Sequence, residues 1–84
     1  MTELNWRTLT QQSLALPYGR ARTTGLEKAL DLAIRGGATE EDVFHLRMSL
    51  TEAYKYGGEP ARAMTTFTRC LTAFDADPAR YGPE

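Results

Sequence analysis

Apolar residues recur along this chain at three- and four-residue intervals, and prolines and glycines cut the recurrence into four segments. The first, about residues 3–15, sets Trp6, Leu9 and Leu14 on a loose apolar stripe, with Thr2 positioned as N-cap. Leu16-Pro17-Tyr18-Gly19 interrupts it, because proline disfavours helix in the residue before it. The second segment runs from about Arg20 to Arg35 and places Leu26, Ala29, Leu30 and Ala33 at helical spacing. Gly36-Gly37 ends it, and Arg35 complements the helix dipole.

Thr39-Glu40-Glu41-Asp42 opens the third segment with a cap and three acids at the helix N-terminus. Its apolar positions are Val43, Leu46, Leu50, Ala53 and Tyr54, with a second edge at Phe44 and Met48. So wide an arc implies packing on more than one side. Gly57-Gly58 makes the next turn, and Pro60 sits where a first-turn proline is tolerated. The fourth segment, about residues 60–74, is expected to bury Ala63, Met64, Phe67, Cys70, Leu71 and Phe74. Small residues there alternate with large ones, so that two backbones approach closely while rings fill the gaps. No stretch shows the two-residue alternation of a half-buried strand, and the predicted class is all-α.

An internal echo underlies the pattern. A shift of 41 residues lays Leu9 over Leu50, Leu26 over Phe67, Ala29 over Cys70 and Leu30 over Leu71. Two helix-turn-helix units are therefore expected, hairpin one over about 3–36 and hairpin two over about 39–75. Repeats of this length signal stacking, in which each unit covers its neighbour's apolar face. Residues 76–84 read as a linker or the start of a further element.

From Leu50 to Leu71 the chain resembles a tetratricopeptide repeat. Leu50 matches the leucine of the first helix, Tyr54 its late aromatic, and Gly57-Gly58 the turn glycine. Ala63, Phe67 and Cys70 match the small, aromatic and small positions of the second helix. In the first copy Trp6, Leu9, Leu26 and Ala29 fit, while Ser13 and Arg22 depart from the pattern. Thr51, Arg47 and Asp75 depart in the second, and the period is 41 against the family's 34. The resemblance implies two antiparallel hairpins, four helices in all, stacked as a fragment of a right-handed superhelical solenoid.

Composition narrows the function classes. With 84 residues the chain makes one small domain with room for a single modest core. Its net charge of −1 supplies no global attraction for nucleic acid or anionic membrane. No apolar run approaches the ~20 residues that cross a bilayer. Cys70 is the sole cysteine, which excludes an intrachain disulfide and fits a reducing, cytoplasmic setting.

Individual residues offer few sites. His45 is the single histidine and lacks companions with metal-ligand spacing, so no metal or other cofactor is expected. Cys70 on the inner stripe reads as a small buried hydrophobe. Tyr18-Gly19-Arg20-Ala21-Arg22 opens a helix, where anions are favoured, which makes Arg20 and Arg22 candidate anion contacts. A solvated turn is the simpler account of that cluster. No paired catalytic constellation is visible, and no enzymatic activity is expected.

The family resemblance adds a groove. It implies that His45, Met48, Ser49, Glu52, Lys55 and Tyr56 line a concave face that takes a peptide or partner helix; packing alone accounts for the six equally well. Met48 and Glu52 stand where carboxylate-clamp members carry lysine and asparagine, which argues against that mode of binding. The implied role is a non-catalytic protein-interaction scaffold or adaptor, an N-terminal part of a longer repeat protein. Alternatives are a self-associating domain that forms homo-oligomers through its apolar helix faces, and a regulatory fragment of a larger enzyme or transcription regulator.

Overall fold

A computed structural model describes residues 5–81, which contain helix and no strand. The elements are α1 (Trp6–Leu14), α2 (Arg20–Arg35), α3 (Glu40–Tyr56), α4 (Pro60–Ala76) and the short α5 (Pro78–Tyr81). The four long helices fall where proline and glycine punctuation places them; the differences lie at the ends. Asn5 caps α1, its side-chain oxygen accepting the Thr8 N–H at 2.8 Å, whereas the expected cap, Thr2, lies outside the described residues. The tail, read as a linker or the start of a further element, contains α5, which packs on α3 and α4.

Both ends of the α2–α3 pair close by the same device. The Ala38 N–H reaches back to the Ala33 carbonyl at 2.9 Å, and the Glu59 N–H to the Tyr54 carbonyl at 2.8 Å. This closure needs one residue in the left-handed region, supplied by Gly37 (φ 77°) and Gly58 (φ 85°). At the start of α3 the Thr39 hydroxyl accepts the Asp42 N–H at 3.1 Å. The acids that follow meet cations from both ends of the chain: Arg7 lies 3.4 Å from Asp42, and Arg80 2.6 Å from Glu40.

Connections this short force consecutive long helices antiparallel, and α1–α2, α2–α3 and α3–α4 each pack side by side. The molecule measures 38 × 31 × 20 Å, and 20 Å is about two helix diameters. Its core is one cluster: Leu26, Ala29 and Ala33 from α2, Leu46, Leu50, Ala53 and Tyr54 from α3, and Ala63 from α4. Trp6 and Leu9 of α1 lean against it half-buried.

Two burial expectations fail. On α4 only Ala63 and Cys70 are buried, while Met64 is 66%, Leu71 45% and Phe67 39% exposed. Periodicity marks these residues as an apolar face, but no further helix lies on that face. On α1 Leu14 is exposed and Ser13 is buried in its place, its hydroxyl donating to the Leu9 carbonyl at 2.8 Å.

Ser13 packs on Gly25, where an added Cβ would stand 2.1 Å from the Ser13 Oγ and 3.0 Å from its Cβ. Glycine at mid-helix costs about 1 kcal/mol in propensity, yet here it lets α1 and α2 touch. Gly25→Val is expected to destabilise the chain by about 2–3 kcal/mol and lower the melting temperature by roughly 10 °C or more. Thermal circular dichroism checks this; an unchanged melting temperature would mean that α1 does not pack on α2 as described.

Candidate functional site

A groove runs between α3 and α4, with no residue of α2 in its lining. Its volume is about 710 Å³, and it is walled by Met48, Thr51, Glu52 and Lys55 on one side and by Ala63, Met64 and Phe67 on the other. Helical spacing explains the two walls. Met48, Glu52 and Tyr56 stand at successive turns of α3, and Pro60, Met64, Phe67 and Leu71 follow a turn apart on α4. Glu52 and Lys55 add one charge of each sign to a mainly apolar lining.

The threonines of α4 turn their hydroxyl donors back onto the helix. The Thr65 hydroxyl donates to the Ala61 carbonyl at 3.2 Å, Thr68 to Met64 at 2.9 Å and Thr72 to Thr68 at 3.0 Å. The stripe Met64, Phe67, Thr68, Leu71 and Thr72 contains no charged residue, and the hydroxyl donors of Thr68 and Thr72 are satisfied within the helix.

Of the six residues named for the concave face, Met48, Ser49, Glu52, Lys55 and Tyr56 line this groove together. His45 lies outside it, its ring edge-on to Phe44 with centroids 5.6 Å apart. The arginines named for an anion have separate settings. Arg22 donates to the Leu16 carbonyl at 2.9 Å and lays its guanidinium over the Tyr18 ring at 4.3 Å, while Arg20 is exposed. Tyr18 in turn meets Tyr56 at 5.1 Å, so the Arg22 turn abuts one end of the groove. Arg22 thus braces the α1–α2 turn, and Tyr18 carries the contact to the end of α3.

A polar tie behind the groove fixes hairpin two on hairpin one. The Tyr54 hydroxyl donates to Glu27 of α2, and Arg62 of α4 reaches the same carboxylate at 3.4 Å. Arg62 also pairs with Glu59 at 3.3 Å. Spacing within one helix could not reveal this tie, because its members come from three helices.

Other chemistry is sparse. Among the described residues no three His, Cys, Asp or Glu side chains gather as a metal site would require. Cys70 is buried; desolvation pushes its thiol up against the smaller lowering effects of Arg47 and Thr51, which disfavours the reactive thiolate. No described helix is long and apolar enough to cross a membrane.

No family model, curated protein or solved structure matches the chain. Its likeness to tetratricopeptide repeats therefore rests on its own residues.

The Tyr54 tie has a pH signature. Burial first, then the Glu27 hydrogen bond and charge, raise the Tyr54 pKa from 10.0 to about 12. A folded-state pKa above the unfolded value favours the protonated phenol in the folded state. That contribution is fully present below pH 10 and is lost as pH rises towards 12. Tyr54→Phe is expected to cost about 1–2 kcal/mol at neutral pH. Denaturant titrations should show the gap between the two proteins closing across that alkaline window; a gap independent of pH would exclude the Tyr54–Glu27 bond.

Proposed function

We propose that the chain is a non-catalytic protein-interaction module of tetratricopeptide-like construction, which receives an amphipathic helix of a partner protein in the α3–α4 groove. The observation that carries this reading is the contrast between residues related by the 41-residue echo. Leu26 is 0% exposed within the cluster shared by α2 and α3, whereas its counterpart Phe67 is 39% exposed. Ala29 and Cys70 are both buried, so the echo holds at that inner position, whereas Phe67, and Leu71 at 45%, stay open. Hairpin two meets its neighbour on one side and offers on the other the kind of surface that hairpin one offers to it.

The two ends of the stack differ in a way that supports the same reading. The outer side of α1 exposes Arg7, Thr8, Gln11 and Gln12, a polar finish suited to a terminal cap. At the opposite end Met48, Met64, Phe67 and Leu71 are exposed together. Contiguous apolar surface on a small domain marks a contact site more often than isolated apolar residues do. The helix that fits is one resembling α3 itself, with apolar residues at the spacing of Leu46, Leu50, Ala53 and Tyr54. Met48 and Glu52 in the wall weigh against capture of an acidic chain terminus at that face.

The isolated chain should enhance the fluorescence of a hydrophobic dye. Phe67→Asp should abolish the signal while shifting the melting temperature by no more than about 4 °C, the size of a 1 kcal/mol effect. Light scattering alongside identifies the occupant: an oligomer dissolved by Phe67→Asp would make it a second copy of the chain. A strict monomer that binds no dye would contradict the reading.

A further inference from the structure

On the side of the α3–α4 hairpin that faces α2 lies a second groove, of about 590 Å³. Its charged lining consists of Glu27 and Asp31 from α2, Arg47 from α3, and Arg62 and Arg69 from α4. Both acids are already engaged, Glu27 by Tyr54 and Arg62, and Asp31 by Arg35 at 3.2 Å. Arg62 is held between Glu27 and Glu59. The guanidiniums of Arg47 and Arg69 have neither an ion pair nor a hydrogen bond among the described residues.

These two guanidiniums belong together. Each stands eleven residues from Gly58, so the antiparallel hairpin brings them level on adjacent helices. Both also line the adjoining groove beside Cys70, which puts them on the ridge that the two grooves share. Like charges that line one groove with Leu30, Ile34 and Leu50 repel each other, and an anion between them removes that repulsion. Arginine forks suit the planar, two-oxygen face of such an anion.

The local charge selects the kind of anion. Three guanidiniums against two carboxylates leave a single positive charge in the groove, which a monoanion balances and a phosphate dianion exceeds. We propose that Arg47 and Arg69 bind one carboxylate of a partner polypeptide, whose neighbouring apolar side chain rests on Leu30 and Ile34. This site is separate from the groove assigned to the partner helix and lies on the other side of the same hairpin.

N-acetyl-leucine is the probe, with N-acetyl-leucinamide and inorganic phosphate as controls, and the arginine Nε–H resonances of the full chain are the readout. The acid should shift Arg47 and Arg69 together and saturably, with a dissociation constant on the order of millimolar, while Arg20 stays still. Arg69→Gln, at an exposed position, should weaken binding by about tenfold or more, as expected for loss of a charged hydrogen-bond partner. The proposal is overturned if the shifts stay linear in concentration, if the amide reproduces them, or if Arg20 moves equally. Tighter binding of phosphate than of the acid overturns the carboxylate assignment.

Discussion

Close approach of α2 and α3 is the constraint on which the rest of the structure depends. Ala29 and Ala33 on one helix and Ala53 on the other are fully buried, and their small side chains let two backbones pack while Leu26, Leu46 and Leu50 fill the space around them. In a chain of this size such a cluster is nearly all the core there is. The glycine closures at Gly37 and Gly58 bring each helix back at the spacing this contact needs. The tie from Tyr54 and Arg62 to Glu27 then locks the rotation of one hairpin on the other. Surface ion pairs such as Arg7–Asp42 and Arg80–Glu40 add little energy singly, but they tie α1 and α5 to the first turn of α3.

Because the inner pair holds most of the core, the outer helices can differ. α1 needs only Trp6, Leu9 and Ser13 on its inner side, and its other side is polar. α4 fully buries just Ala63 and Cys70, yet carries a second apolar stripe that stays partly open to solvent. That stripe is what the proposed partner helix would cover. The Arg47–Arg69 ridge is a similar surplus, two charges without a partner beside acids that are all engaged.

Much of the fold was legible because proline and glycine act locally. The limits of α2, the Thr39 cap and the Gly57-Gly58 turn follow from residues that constrain their own backbone. Burial on α4 was not legible: periodicity says that Met64, Phe67 and Leu71 share a face, but not whether anything covers it. Gly25 carried no local signal either, since a glycine inside a helix reads as a propensity loss until Ser13 is seen against it. Five of the six groove residues fall on one wall because they share a helix, while the opposite wall and the Glu27–Tyr54 tie needed the packing of separate helices.

The central claim is that the chain folds with the α3–α4 face open while the α2–α3 seam is closed. Methyl resonances in the presence of a soluble paramagnetic chelate measure this directly. The Met48 and Met64 methyls should broaden strongly, while those of Leu26, Leu46 and Leu50 remain sharp. Protected Met48 and Met64 methyls in the monomeric chain, or broadening that reaches Leu26, would contradict the account.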